Sequence, residues 1–499
     1  MKKIILSCFV FIYIYIFTFS FVNAITSTIV GTANTNNLAT EQPNGRKIVK
    51  DTNGIIHIVF SDKNNIIYTK SNSKQDTKFI TPIIIASGSN LQHCALNIDS
   101  NNNLHLVWDV NEKEIYYKKC VNGIWDSNIL NISNTPDDKS RFPSIVIDKN
   151  DNVYVFWEDK FYGLIHYDIF YRKYNAITEN WSEITRINNS LNQKSVMVDV
   201  DVDSQNNLYV AWGEYNNGDN GEYGVNISMG KYNFKNDIWE PIILNFSNTS
   251  NWSCEPSIVV DNNDVIHLAW GDFIKETYEE RILYKKCVNG IWDQKYTIIG
   301  KIPNFRSFCP SLSYDKNNNI YCTWFAGSTD TSNDTEIYCR QKKMSGEWGE
   351  IINISNSSDK SNYCPSSAKN IDEKVDIVCA ENTYDDQFNV IYYSYKAETN
   401  IDKNIFYKNK ISSYPNPFNP ECYIPIEMSN NKSQNLNVKI KIYNILGQVV
   451  REVITNNANS SVYWDGRDNL GKEVSSGMYF YETIINNKTQ NCKKMLMLK

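Results

Sequence analysis

The sequence predicts an all-β protein, a seven-bladed β-propeller followed by a small C-terminal β-sandwich, on three observations. Aromatic residues reach 13% of the chain, with 32 Tyr and 12 Trp, a composition that suits pleated strands better than helices. One strand–turn–strand phrase recurs from residue 45 to residue 396. Residues 411–499 abandon that phrase for short alternating strands of their own.

The phrase is an apolar strand ending in Asp, an Asn-rich turn, and a second strand ending in an aromatic. Clear copies are Ile147-Asp148-Lys149-Asn150-Asp151-Asn152-Val153-Tyr154-Val155-Phe156-Trp157 and Tyr314-Asp315-Lys316-Asn317-Asn318-Asn319-Ile320-Tyr321-Cys322-Thr323-Trp324. Trp108, Trp157, Trp212, Trp270 and Trp324 mark the second strand, with Phe60 and Cys379 in the first and last copies. A third strand follows, as over residues 114–118, and a fourth starts at Trp125, Trp181, Trp239, Trp292 or Trp348. Both tryptophan series recur every 49 to 58 residues, the spacing of a propeller blade. One such sheet cannot bury both faces alone; stacking it against copies of itself around a ring does so.

Units start near residues 45, 91, 141, 195, 254, 307 and 362, with six blades as the alternative count. The last unit reads as three strands, over 366–371, 375–380 and 389–396, and lacks a Trp-led fourth. The β-branched segment 25–31 is expected to supply it, pairing the first repeat with the last, because an open ring exposes two sheet edges.

Lys2 and Lys3 precede an apolar run over residues 4–22, and Val22-Asn23-Ala24 offers small residues for cleavage, so residues 1–24 read as a signal peptide. The apolar stretch follows Cys8 rather than preceding it, which argues against lipidation there. No other run is long enough to span a bilayer, so no transmembrane span is expected after cleavage. Net charge is −6 with no long Lys or Arg run, which leaves no footprint for nucleic acid. Of the 12 cysteines, Cys120 and Cys287 share one repeat phrase, and Cys254, Cys309 and Cys364 open successive repeats. They read as structural thiols in an oxidising compartment.

Directly after the second-strand aromatic comes an acid in six units: Asp62, Asp109, Glu158 with Asp159, Glu214, Asp272 and Glu381. The sixth unit has Phe325-Ala326 instead. These carboxylates stand where variable loops leave a rigid scaffold, so they are the candidate ligand-binding residues, for sugar hydroxyls or a cation. The bland alternative is that each caps backbone amides of its own loop or of a neighbouring blade. His57, His105 and His267 share a position filled elsewhere by Tyr154, Tyr209 and Tyr321, and read as packed residues. The Asp-x-Asn-Asn turns lack the Gly and distal Glu of a calcium loop and read as hairpin turns. No metal site, phosphate loop, nucleophile elbow or cofactor signature is found.

Over residues 45–396 the unit resembles the sialidase-like, BNR-type bacterial propellers. That family carries an Arg-Ile-Pro phrase with a catalytic arginine, which Arg141-Phe142-Pro143 matches in part; the family's Asp box has no intact copy here. The family's three arginines and Tyr/Glu nucleophile are not otherwise placed, so the resemblance implies Arg141 alone as a catalytic candidate.

Residues 401–410 read as a polar linker. Then four phrases follow in order: Tyr414-Pro415-Asn416-Pro417-Phe418-Asn419-Pro420, the strand and turn through Gly447, Trp464-Asp465-Gly466, and Gly477 opening a strand before the terminal Lys-Lys-Met-Leu-Met-Leu-Lys. Residues 411–499 thereby resemble the C-terminal sorting domain of type IX secretion cargo, similar to the Ig-like domain of the flagellar hook cap. The resemblance implies an Ig-like sandwich, outer-membrane secretion machinery as partner, and delivery to the outer surface of a bacterium or beyond. The reading is therefore a signal peptide over 1–24, a propeller over 25–400, and a sorting domain over 411–499. A glycan or surface protein is the expected ligand; a sialidase-like glycosidase and a purely structural display propeller are the alternatives.

Overall fold

A computed structural model describes residues 25–396 and 422–497, apart from 34–38, 41–44, 75–77, 136–138, 161–165, 189–193, 218–222, 304, 329–334, 345, 358–359, 370, 384–386, 426–437, 456–460 and 486–487. The expected signal peptide, the linker and residues 414–420 lie outside the described residues. Every regular element described is a strand, and no described helix is long and apolar enough to cross a membrane. The chain divides into two compact units, residues 1–397 and 398–499.

The Asn-rich turns shape the first hairpin of each repeat in the first unit. Asp148 accepts the backbone N–H groups of Asn150 and Asn152 and the Asn152 side-chain amide, each at 2.9 Å, and the Tyr154 hydroxyl at 3.3 Å. Asp203 and Asp315 repeat the pattern with Tyr209 and Tyr321. At Asp99 and Asp261 the last partner is Nε2 of His105 or His267. That common partner is why His and Tyr exchange at this position, and the packed reading of the histidines holds: Nδ1 of His57, His105 and His267 meets a Tyr hydroxyl at 2.7 to 2.8 Å. The third residue after the Asp is Asn102, Asp151, Asn206, Asp264 or Asn318, with φ between 56° and 67°. Asn and Asp tolerate that left-handed backbone best among side-chain-bearing residues, so the Asn runs have a structural cause.

Each turn is also tied to the next. Backbone N–H groups of Thr52, Ser100, Lys149, Ser204 and Asn262 donate to the side chains of Asn102, Asp151, Asn206, Asp264 and Asn318. The Lys316 N–H then reaches the Asp372 carbonyl at 3.1 Å.

Within each repeat the strands pair antiparallel in chain order, as in Ser144 opposite Phe156 and Phe156 opposite Tyr171. The long strand Ile83–Ile98 serves two repeats, through Asn65 opposite Ser87 and Gln92 opposite Asp109. The inner strands are Ile48–Lys50, Ile83–Ile98, Arg141–Ile147, Lys194–Val202, Trp252–Val260, Phe305–Tyr314 and Asn362–Ser367. Each touches the next, and the last touches the first, so the sheets close in a ring. Apolar clusters lie between neighbours: Trp157 packs with Ala95 and Val107 of the preceding repeat, Trp212 with Val146 and Phe156, and Trp324 with Val259 and Ala269. The other tryptophan series packs its edges on aromatics of the repeat before, Trp125 on Tyr68 at 5.3 Å, Trp181 on Tyr117 at 5.0 Å and Trp348 on Tyr284 at 5.0 Å.

Closure follows the expectation for the N-terminal segment. Thr26–Ala33 pairs with Gln387–Tyr395, placing Thr28 opposite Tyr392 and Ala33 opposite Phe388. Val30 and Ala33 join a cluster with Phe60 of the first repeat and Val378 of the last. The Lys50 ammonium lies 2.7 Å from Asp372 and 2.9 Å from Asp376, a second tie between the ends. One element shifts from the sequence reading. The inner strand of the last repeat is Asn362–Ser367, not 366–371, because a bulge between Tyr363 and Ser366 breaks the alternation that the reading followed.

In the second unit Cys422–Pro425 pairs with Ser461–Trp464. A separate sheet places Val438–Tyr443 between Val449–Thr455 and Gly477–Ile485, with Lys488–Met497 at its edge. Ile424 and Trp464 of one sheet share an apolar cluster with Ile440, Tyr481 and Met495 of the other, which is sandwich packing.

Candidate functional site

Six inner strands carry the same irregularity. His93, Phe142, Met197, Glu255, Cys309 and Cys364 each have φ between 45° and 58°, at a point where the pairing register shifts. Bulges of this kind re-aim side chains, and left-handed backbone at non-glycine residues stores strain. Register puts the rim acids at the same end of the sheets: Gln92 lies opposite Asp109, Arg141 opposite Glu158, Ser195 opposite Glu214, and Asn362 opposite Glu381.

The predicted acids fall into distinct settings. Asp62 caps its own loop, accepting from the Asn64 and Asn65 backbone. Asp159 and Glu214 each bond the indole two residues earlier, Trp157 at 2.7 Å and Trp212 at 2.6 Å, and a serine hydroxyl of the inner strand side, Ser140 or Ser195. Asp272 likewise takes the Ser253 hydroxyl and a two-pronged contact from Arg281. Where the sixth unit has Ala326, Ser307 Oγ and Trp324 Nε1 are buried without a partner among the described residues. Glu381 pairs with Lys360 at 2.6 Å. Asp109 and Glu158 instead reach across to the next sheet, to the bulge N–H groups of Phe142 at 3.2 Å and Met197 at 2.5 Å. Asp109 also meets His93 Nδ1 at 2.6 Å.

Around Glu158 a group of charged and aromatic side chains converges. Glu158 is fully buried and accepts from Arg141 Nε at 3.0 Å. The Arg141 guanidinium also reaches Glu112 at 2.8 Å and lies 4.1 Å from the centre of the Tyr167 ring. The Lys194 ammonium stands 5.5 Å from the Tyr167 ring and 5.3 Å from the Tyr215 ring. Burial outweighs the Arg141 charge and pushes the Glu158 carboxyl up to about 7, so its proton is exchangeable near neutral pH.

A second group lies beyond Tyr215, whose hydroxyl feels Cys254 and Glu255 as well as Glu158. Donor atoms of Cys254, Glu255 and Glu280 all lie within 4.8 Å of one another. Arg306 pairs with Glu280 at 3.0 Å and packs 5.0 Å from the Phe273 ring centre and 4.8 Å from that of Phe308. Burial first, and Glu255 second, push Glu280 up to about 8 despite that pair. A cavity of about 180 Å³ bordered by Glu280, Arg281 and Phe305 opens beside it. Such a surface offers cationic donors, ring faces on which sugars stack, and carboxylic acids able to give or take a proton near neutrality.

Sequence reasoning singled out Arg141 and Glu158 of this assembly and missed Tyr167, Lys194, Tyr215, Glu255 and Glu280. Aligning the repeats on the bulge would have singled out Glu255, the one acid among the six bulge residues. Tyr167 and Lys194 border loops without a repeat signal.

In the second unit the sorting-motif residues hold turns. Trp464 is buried, edge-on to Tyr479 at 5.4 Å, and donates to the Arg467 carbonyl at 2.9 Å. Asp465 accepts the Arg467 N–H at 3.1 Å. Gly447 and Gly466 have φ of 75° and 68°, and Gly477 opens the strand Gly477–Ile485.

No curated protein matches the chain. Among solved structures it is similar to the polysaccharide lyase Uly1, at 11% identity over 71% of this chain and 90% of that one, with a TM-score of 0.48. It is similar to PorZ, a surface component of the type IX secretion system of Porphyromonas gingivalis, at 12% identity over 91% of this chain and 60% of that one, with a TM-score of 0.39. It is also similar to an α-L-arabinanase of Penicillium chrysogenum, at 11% identity over 72% of this chain and 98% of that one, with a TM-score of 0.43. Likenesses this distant carry no argument about activity. The C-terminal match is of another kind: residues 412–498 match the secretion system C-terminal sorting domain family, which marks the chain for export to the cell surface or beyond it.

Proposed function

We propose that this is an exported bacterial protein whose ring is a seven-bladed propeller that binds a glycan through its bulge-bearing face. In this reading residues 1–24 are removed on export, residues 25–400 form the propeller, and residues 411–499 form an Ig-like sorting domain engaged by the outer-membrane machinery. Dividing the shared strand Ile83–Ile98 between two sheets yields seven sheets of four or five strands, the outer strand of three of them coming in two short pieces, which supports the count. The observation that carries the ligand reading is the convergence of Arg141, Glu158, Tyr167, Lys194 and Tyr215 on one end of the sheets. The test is a glycan array probed with the chain lacking residues 1–24, with product analysis of every hit. Binding without turnover is expected, and absence of binding to any glycan overturns the reading.

Sialidase-like hydrolysis is the second reading, favoured by one observation: a buried carboxyl raised to about 7 beside Arg141 and Tyr167. A cleaved product on the array decides for it. For the sorting role, deleting residues 411–499 should leave the protein inside the cell envelope, read by surface labelling of intact cells.

A further inference from the structure

Two of the bulge residues are cysteines on consecutive inner strands, Cys309 on Phe305–Tyr314 and Cys364 on Asn362–Ser367. The strands run side by side at this point. Ser311 Oγ lies 2.9 Å from Ser367 Oγ, and the Ser367 N–H donates to Ser311 Oγ at 3.1 Å. Each cysteine stands two residues before its strand's Ser311 or Ser366, with φ of 50° and 45°, so the bulges aim both side chains alike. Each thiol lies within electrostatic reach of the other, and both are 7% exposed.

We propose that Cys309 and Cys364 are joined by a disulfide in the exported protein, bonding the sixth repeat to the last across the sheet boundary. The bond forms by exchange with a disulfide donor. One cysteine sulfur attacks the donor disulfide and releases a donor thiol; the other attacks the mixed disulfide and releases the second. Two electrons pass from the cysteine pair to the donor, and the two cysteine protons end on the released thiols. The neighbouring Cys364, then burial and Glu255, hold the Cys309 thiol protonated in the folded chain, so exchange belongs to folding, before the sheets close over the pair. Export matters here only for where the donor is met, because chains still in a reducing cytosol keep their thiols. The bond closes a long loop in the unfolded chain, and such loops gain most from a cross-link.

The test refolds the full chain from denaturant with glutathione disulfide, unfolds it again in denaturant containing iodoacetamide to block every free thiol, and maps the digest by mass spectrometry without reduction. The expected result is a linked Cys309–Cys364 peptide pair that separates on reduction. In the Cys364→Ser chain treated alike, Cys309 should carry the alkyl group or glutathione. The proposal is overturned if both cysteines are alkylated in the wild-type chain, or if Cys364 is found linked to Cys379, the buried thiol of the neighbouring strand, instead. None of these outcomes depends on whether the face binds a glycan.

Discussion

The two ends of the ring are built from the same strands and differ in how far their polar groups are satisfied. At the turn end, each Asp accepts its own hairpin's amides, and each left-handed residue accepts an N–H from the preceding repeat. At the bulge end the same repeat supports Glu158, Glu255 and Glu280, all raised above the ordinary carboxylate range by burial. Where repetition is strict, side chains serve the fold; where it lapses, they are left with unusual protonation and one another. That contrast is what supports placing the proposed ligand face at the bulge end.

If the turn end is structural, breaking it should cost most. Lys50→Met would leave Asp376 a buried charge without its main partner, at a cost of about 3–5 kcal/mol, read as a fall in the unfolding midpoint in denaturant. Asp315→Ala removes the acceptor for the Asn317 and Asn319 backbone amides, the Asn319 side-chain amide and the Tyr321 hydroxyl, and should cost about 1–3 kcal/mol. Ala326→Asp tests the opposite sign. It offers Ser307 and Trp324 the acceptor that Asp159 offers Ser140 and Trp157, and should raise stability by about 1 kcal/mol.

Glu280→Gln probes the bulge end through pH. Because the folded chain keeps the Glu280 proton up to about pH 8, while the unfolded chain loses it near the ordinary value, stability falls as pH rises between the two. The amide cannot lose a proton. Unfolding midpoints of Glu280→Gln should therefore decline less than wild type from about pH 5 to about pH 8; a parallel decline would show that Glu280 titrates normally.

Much of this was legible in the sequence, and the reasons are local. The tryptophan spacing fixed where each sheet begins, because Trp157 and its equivalents fill the boundary between sheets. The β-branched segment after residue 24 announced itself as the closing strand because the last repeat lacked one. The rim acids were legible as positions but not as settings. The sequence cannot distinguish Asp159, held by an indole and a serine, from Glu158 next to it, which reaches the next sheet. Pleat alternation points neighbours to opposite faces, and the bulge then decides which amide each one meets. Tyr167 and Lys194 come from adjacent repeats, as do Glu280 and Arg306, and each pair meets only once neighbouring sheets pack.

The central claim is that ligand binding belongs to the bulge end, and paired substitutions test it directly. Lys194→Ala removes the ammonium between Tyr167 and Tyr215, while Lys149→Ala alters an exposed side chain at the turn end. For the glycan selected on the array, Lys194→Ala should weaken binding by roughly tenfold, about 1.4 kcal/mol, and Lys149→Ala should leave it unchanged. Equal affinity in Lys194→Ala, or a loss confined to Lys149→Ala, would contradict the account.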